Sequence, residues 1–117
     1  MSNLNKDLEE ILEAFCEEAP GDASYPYKVF SAKRISEEDG KSTYVLEVNV
    51  WDQGRFYSRA ENIMSALEQQ LHRFSYMTDD FLITFYKGQR QNVTDSDKSL
   101  KRVREQFEMY VWERKDR

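Results

Sequence analysis

The sequence has few of the residues on which catalytic and metal sites usually depend. It contains one cysteine, Cys16, and one histidine, His72, in 117 residues. A single cysteine excludes an internal disulfide and any zinc site built from several cysteines, and a single histidine has no second imidazole with which to share a metal. We expect Cys16 to be a small half-buried side chain on the first helix, and His72 to cap or pack the end of a helix.

Glycine is also sparse, and its positions exclude a phosphate-binding loop. The glycines stand singly, at Gly21, Gly40, Gly54 and Gly88. Isolated glycines serve turns, whereas a phosphate-binding loop needs several of them close together. The carboxylates that could be considered for a magnesium site are Glu47, Asp52, Asp79 and Asp80. Because aspartates at element boundaries usually shape turns, the sequence predicts no enzyme, no metal site and no cofactor.

Long apolar runs are absent as well. The longest, such as Phe81-Leu82-Ile83, fall far short of the roughly 20 residues that a membrane-spanning helix needs. Residues 1–12 mix charged with apolar side chains, unlike a secretory signal. Hydrophobic residues make up 39% of the chain, which suffices for a core, and charged residues make up 33%. We therefore expect one domain over residues 1–117, away from membranes and in a cytoplasm.

The charge is acidic overall and unevenly distributed. A net charge of -5 disfavours a dedicated nucleic-acid binder, because phosphate contacts usually leave such a domain basic. Residues 1–24 contain one basic residue, Lys6, among many acidic ones. The basic residues of the other end are Lys98, Lys101, Arg102, Arg104, Arg114, Lys115 and Arg117. Opposite ends of this kind favour head-to-side contacts between copies; the alternative is two solvated faces.

Hydrophobic periodicity predicts the order helix, strand, strand, helix, strand, strand. The first helix covers about residues 4–18 and ends at Pro20-Gly21. Strands are expected over residues 25–35 and 43–52, and Asp39-Gly40 supplies the positive backbone angles of the hairpin turn between them. The expected core face of the second strand is Tyr44, Leu46, Val48 and Val50.

The second half of the chain begins with Ser58-Arg59-Ala60-Glu61, which has the form of a capping box. The helix that follows has an apolar stripe running to Phe74. A third strand is expected over residues 81–86, then a mobile polar loop to Ser99. The last strand spans about residues 100–113, with a core face of Val103, Phe107, Met109 and Val111. These elements predict an α+β domain of order α-β-β-α-β-β, with an antiparallel or mixed four-stranded sheet and helices packed on one face.

Large side chains remain on the other parity of the strands. Trp51, Tyr110 and Trp112 are favoured interface anchors, because Trp and Tyr bury a large area with few torsions; the alternative is that they are covered within the domain. The expected interface residues are Trp51, Arg90, Asp95, Asp97, Arg102, Arg104, Tyr110 and Trp112.

The last strand also supports a second hypothesis. Lys98, Lys101, Arg102 and Arg104, with two aromatic residues on the same strand, fit a small nucleic-acid-binding or adaptor domain. Glu105, Glu108 and Glu113 interrupt the basic run. An alternating charged strand is more often a solvated face, so we expect no specific nucleic acid.

The order of several segments resembles the tail-terminator or tail-completion proteins of siphophages, a group close to head-tail joining and minor capsid proteins. The segments are Ser24-Tyr25-Pro26-Tyr27, Val48-Asn49-Val50-Trp51-Asp52, Leu71-His72-Arg73-Phe74, the Arg90 to Asp97 loop, and Phe107 to Trp112. The resemblance spans nearly the whole chain, and it is one of pattern, without a short diagnostic motif.

This resemblance implies a structural protein of a phage or prophage. Such proteins are α+β domains that form a six-membered ring on the last ring of the tail tube, stop tube growth and present a docking surface to the head connector. The implied partners are further copies of the chain, the tail tube protein and the head-tail connector protein. The implied location is the virion tail or neck, after assembly in the host bacterial cytoplasm.

Overall fold

The computed structural model describes residues 2–114. The helices are α1 (Ser2–Leu12) and α2 (Ser58–Leu71). The strands are β1 (Phe15–Cys16), β2 (Tyr27–Glu38), β3 (Lys41–Gln53), β4 (Ser75–Met77), β5 (Phe81–Val93) and β6 (Leu100–Glu113). Within this range no helix combines the length and apolar character needed to cross a membrane.

All six strands form one sheet of order β1-β2-β3-β6-β5-β4. Two long antiparallel hairpins, β2–β3 and β5–β6, are joined by antiparallel pairing of β3 with β6. β1 pairs in parallel with β2, so the sheet is mixed. The predicted α+β class is confirmed, and of the two predicted sheet types, antiparallel or mixed, the sheet is mixed. The predicted count of four strands is wrong. β1 and β4 are too short, at 2 and 3 residues, to show a periodicity in the sequence.

The predicted turn between β2 and β3 is confirmed. Asp39 and Gly40 have φ values of 54° and 81°, the left-handed angles that a two-residue hairpin turn requires. The turn sets the register from Glu38 opposite Lys41 to Ser36 opposite Thr43, and an irregularity between Arg34 and Ser36 then shifts it by one residue. The β2 residues from Lys33 to Glu38 are exposed.

Both helices pack on one face of the sheet, as predicted. α1 contributes Leu4, Leu8 and Leu12 to the core, each at most 1% exposed. The α2 residues in the same core are Ala60, Met64, Leu67 and Leu71. The expected core residues of both central strands are confirmed, and all of them are buried: Tyr44, Leu46, Val48, Val50, Val103, Phe107, Met109 and Val111.

The first helix ends earlier than predicted. It stops at Leu12, and Glu13 takes a left-handed backbone with φ of 52°. Phe15 and Cys16 then form β1, which pairs with Val29 and Phe30. The helical periodicity is overridden here because strand pairing satisfies the backbone groups while Cys16 still packs against the core. Cys16 is half-buried as expected, but on a strand instead of a helix.

The start of α2 does not use the predicted capping box. Tyr57 is the residue that precedes the helix, and no side-chain hydrogen bond caps it. Instead, the Arg59 Nε donates to Asp52 Oδ2 at 2.9 Å, and Glu61 accepts from the Asn92 side chain at 2.9 Å. These residues tie α2 to the sheet, a use that the local sequence motif does not indicate.

The end of α2 confirms the role expected of His72. The backbone N–H of His72 donates to Glu68, and its Nδ1 accepts the backbone N–H of Lys87 at 3.0 Å. His72 therefore caps the helix and holds β5. Phe74, expected in the apolar stripe, lies beyond the helix and is 55% exposed.

β5 is twice as long as predicted, so the expected mobile loop is largely strand. The pairing with β6 shifts at a bulge between Lys87 and Arg90 and then continues to Val93. The polar sequence after Gly88 does not prevent this, because β6 provides paired backbone groups along its whole length. Only residues 94–99 connect β5 with β6.

The bulge depends on Gly88. A Cβ at this position would lie 2.1 Å from the backbone oxygen of Gln106, which no strand pair can accommodate without moving. We predict that Gly88→Ala destabilises the fold by about 1–3 kcal/mol, measured by chemical unfolding. Gly21→Ala is the matched control, because a Cβ there meets nothing within 4 Å. Equal stability of the two variants would show that the bulge tolerates a side chain.

Candidate functional site

One face of the sheet has no helix on it. We call it the open face, defined by the alternating side chains that point away from the helices. On β3 and β6 these are Lys41, Thr43, Val45, Glu47, Asn49, Trp51, Arg102, Arg104, Gln106, Glu108, Tyr110 and Trp112. The prediction that Trp51, Tyr110 and Trp112 avoid the core is confirmed, since all three are half-buried.

One end of the open face is cationic. Trp51 lies opposite Arg102 in the β3–β6 register, and the Arg102 guanidinium is 5.1 Å from the Trp51 ring centroid. Arg104 lies opposite Asn49. Arg102 Nε and Asn49 Oδ1 are buried without a hydrogen-bond partner. Among residues 2–114, neither arginine forms an ion pair, so this part of the face has two uncompensated charges.

The other end of the open face is aromatic. The rings of Tyr86 and Tyr110 have centroids 5.7 Å apart, and those of Tyr110 and Trp112 are 6.5 Å apart. Lys41 Nζ lies 4.9 Å from the Tyr110 ring centroid. Burial and the neighbouring Glu108 carboxylate raise the pKa of Tyr110, so its phenol is neutral and keeps a hydrogen-bond donor. The sequence did not predict that Tyr86 and Lys41 contact Tyr110, because these contacts depend on the register of β6 with β5 and β3.

A second aromatic group lies at the β1–β2 edge. Phe15 and Tyr27 are in edge contact at 6.0 Å, and Tyr25 stacks on Tyr27 at 5.2 Å. They border a groove of about 660 Å³ whose lining residues include Glu9, Glu13, Phe15, Pro26, Tyr27, Lys28 and Ile63. This groove was not predicted, since it exists only because α1 ends early and β1 joins the sheet.

Three of the expected interface residues lie elsewhere. Arg90 is turned toward α2, where its guanidinium contacts Glu68 Oε2 at 2.9 Å and Glu105 Oε1 at 3.2 Å. Asp95 and Asp97 shape the β5–β6 connection, where Asp95 Oδ1 accepts from the backbone N–H of Asp97 at 2.9 Å. Hydrogen bonds from Ser99 hold the pKa of Asp97 low. The other five of the eight expected interface residues lie on the open face: Trp51, Arg102, Arg104, Tyr110 and Trp112. Lys115 and Arg117, which belong to the basic end of the sequence, lie outside the described residues.

Glu105 is a buried carboxyl that the sequence analysis did not identify. It is 0% exposed and lies on the core face of β6, between Val103 and Phe107. The sequence did contain a signal for its burial, because Glu105 shares the alternation of the core residues Val103 and Phe107 in β6. Burial foremost, and then the Glu68 carboxylate, raise the pKa of Glu105 to about 8, although Arg90 opposes the shift.

The cluster of Glu105, Glu68 and Arg90 therefore contains one proton near neutral pH. Oε2 of Glu105 is buried and has no donor in reach. When the Glu105 carboxyl is protonated it can donate to Glu68, and this hydrogen bond and Arg90 hold the pKa of Glu68 below its usual value, although burial opposes the shift. The cluster links α2 to β5 and β6 on the side of the sheet opposite the open face.

This cluster makes stability depend on pH. The folded-state pKa of Glu105 lies above its unfolded value, so the chain loses stability as pH rises from about 4.5 toward about 8. We predict that the Tm of the wild type falls between pH 5.5 and pH 8.5. In Glu105→Gln the fall should be smaller, and the variant should exceed the wild type at pH 8.5. Glu108→Gln, exposed on the same strand, is the control; parallel curves for all three proteins would contradict the assignment.

The carboxylates considered for a metal site do not come together. Asp52 is buried and bound to Arg59, and Glu47 accepts a hydrogen bond from Asn49 on the open face. Asp79 and Asp80 lie between β4 and β5. In the described part of the chain no group of three His, Cys, Asp or Glu side chains is placed to hold a metal ion.

The large side chains of the open face lie outside the core. We predict that Trp112→Gln changes the free energy of unfolding by about 1 kcal/mol or less, since Trp112 packs outside the core. Phe107→Ala, on the core face of the same strand and 1% exposed, should cost about 3–5 kcal/mol. Denaturant titration of both variants measures the difference, and a loss for Trp112→Gln as large as that for Phe107→Ala would place Trp112 in the folding core.

The comparison with known proteins identifies a shared fold. No protein-family model matches the sequence, and no curated protein matches it significantly. Among solved structures, the chain is similar to a chain of the virion of a native gene transfer agent particle, with a TM-score of 0.66. The match covers 90% of this chain and 84% of the other at 12% identity. At that identity, the likeness shows a shared fold.

Proposed function

We propose that this chain is a structural protein of a phage, prophage or phage-like particle. In this role, copies of the chain form a ring, expected to have six members, at the head-proximal end of the tail tube. The ring ends tail growth and joins the tail to the head connector. Its location would then be the tail or neck of the virion, and its partners would be the tail tube protein, the connector protein and further copies of itself.

Two independent lines support this proposal. The order of sequence segments resembles siphophage tail-terminator proteins, and the fold is shared, over most of both chains, with a chain of a gene transfer agent virion. The first line comes from residue pattern and the second from backbone geometry, so neither depends on the other.

The observation that carries the proposal is the open face. Because the helices cover one side of the sheet, Trp51, Tyr110 and Trp112 on the other side are half-buried, in contact with neighbouring side chains of the sheet. Such residues contribute most when a partner desolvates them fully. A protein that acts by assembly needs an uncovered surface of this kind and needs no catalytic group.

Nucleic-acid binding is the second candidate, favoured by the Arg102 guanidinium over Trp51 and by Arg104 beside it. Cations and stacking rings together suit single strands. A mobility-shift assay at low salt with single- and double-stranded DNA and RNA separates the two candidates. A shift lost in Arg102→Ala/Arg104→Ala would favour this candidate.

The assembly role predicts a specific defect. Deletion of the coding sequence from the genome that produces the particle should give unjoined heads and tails of abnormal length, counted by negative-stain electron microscopy. The reason is that nothing would then stop tube growth or present the docking surface. Expression of the wild-type chain from a plasmid should restore joined particles. Joined particles with tails of normal length in the deletion strain would contradict the proposal.

A further inference from the structure

The open face and the outer surface of α1 carry opposite charges on opposite sides of the sheet. α1 buries Leu4, Leu8 and Leu12 against the core with Ile11 packed beside them, so the opposite side of the helix faces away from the sheet. Its exposed charged side chains, with those that directly follow it, are Lys6, Glu9, Glu10, Glu13, Glu17 and Glu18. We call this set the acidic surface; the cationic strip is Arg102 and Arg104 with Trp51.

No ion pair within residues 2–114 joins either surface to an opposite charge. In the described range, the ion pairs join Arg34 with Glu37, Arg59 with Asp52, and Arg90 with Glu68 and Glu105. The arginines of the cationic strip and the glutamates of the acidic surface are absent from these pairs. Because the sheet lies between the two surfaces, one copy cannot bring them together.

Each surface carries a pair of like charges close together. Arg102 and Arg104 are two residues apart on a strand, which separates their Cα atoms by roughly 7 Å. Glu9 lies on α1, Glu13 directly follows the helix, and both line the same groove. Lys28 also lines the groove; it is half-buried, and burial lowers its pKa although Glu13 opposes the shift.

Apolar groups accompany both sets of charges. The groove beside Glu9 and Glu13 is also lined by Phe15, Pro26 and Ile63, and Trp51 lies under Arg102. A contact between the two surfaces would therefore desolvate aromatic and aliphatic area along with the charges. That combination is typical of an interface centre.

We propose that the cationic strip of one copy binds the acidic surface of the next copy. This inference rests on the proposed function, and it identifies the two surfaces through which copies of the chain meet. Because the two surfaces differ and lie on opposite sides of the sheet, the contact is head-to-tail and can be repeated around a ring. A two-fold dimer, which would pair one surface with itself, would place like charges together.

Two charge-reversed variants of the full chain test this contact. Arg102→Glu/Arg104→Glu makes the strip acidic, and Glu9→Lys/Glu13→Lys places two positive charges in the groove where the strip would bind. In either variant alone, every contact between copies would join like charges. We expect the apparent dissociation constant of the assembly to rise at least about tenfold, measured by native mass spectrometry over a concentration series.

The equimolar mixture of the two variants gives the sharper result. The acidic strip of one variant then meets the two lysines introduced in the groove of the other, while the remaining contacts keep the wild-type charges. Assembly should return, with the two variants in equal numbers and in alternation. Arg55→Glu/Arg73→Glu is the control, because it makes the same change of charge at exposed residues outside the open face. Circular dichroism of each variant verifies folding.

The outcomes separate this inference from the proposed function. If the wild type assembles and both reversed variants assemble equally well, the two surfaces are not the contact, although an assembly role would stand. If the variants dissociate but their mixture stays dissociated, the strip and α1 do not bind each other. A wild type that is monomeric at every concentration tested overturns the inference. The phenotype of the deletion strain then tests the assembly role independently.

Discussion

The antiparallel pairing of β3 with β6 is the constraint on which the rest of the structure depends. It joins two hairpins that are otherwise separate in sequence, from Lys41 opposite Trp112 to Gln53 opposite Leu100. Since side chains alternate along strands, this register assigns every residue of both strands to a face. A shift by one residue would place Arg102 and Trp112 among the helices and expose Val103 and Phe107. The core and the open face are thus two results of one register.

The two sides of the sheet satisfy their charges in different ways. On the helix side, Asp52 is bound by Arg59, and Glu105 by Arg90 and Glu68, so each buried acid has a partner or a proton. Unpaired buried charge would be costly there. On the open face, Arg102 and Arg104 remain without acidic partners in residues 2–114. This difference supports an intermolecular role for the open face, because folding satisfies the helix side and leaves the open face uncompensated.

The sequence was sufficient for the features that periodicity and turn chemistry determine. Alternation gave the core faces of β3 and β6, Asp39-Gly40 gave the hairpin, and the apolar stripes gave both helices. It was insufficient where tertiary pairing overrides local preference. Phe15 and Cys16 join a strand because β2 offers free backbone groups, and residues 88–93 continue β5 because β6 extends beside them. Arg90 lies in a polar stretch that is typical of a loop, but its guanidinium binds Glu68 and Glu105. Only the three-dimensional arrangement of these residues shows that Arg90 points toward the helices.

The central claim is that the open face is covered by another subunit in a particle. Electron cryomicroscopy of the particle produced by the parent genome tests it directly, because it shows both the location of the chain and what lies against its sheet. The account predicts a ring of copies at the head-proximal end of the tail tube, with Trp51 and Arg102 in contact with a neighbouring copy. Absence of the chain from the particle, or a ring in which Trp51 and Arg102 face solvent, would contradict it.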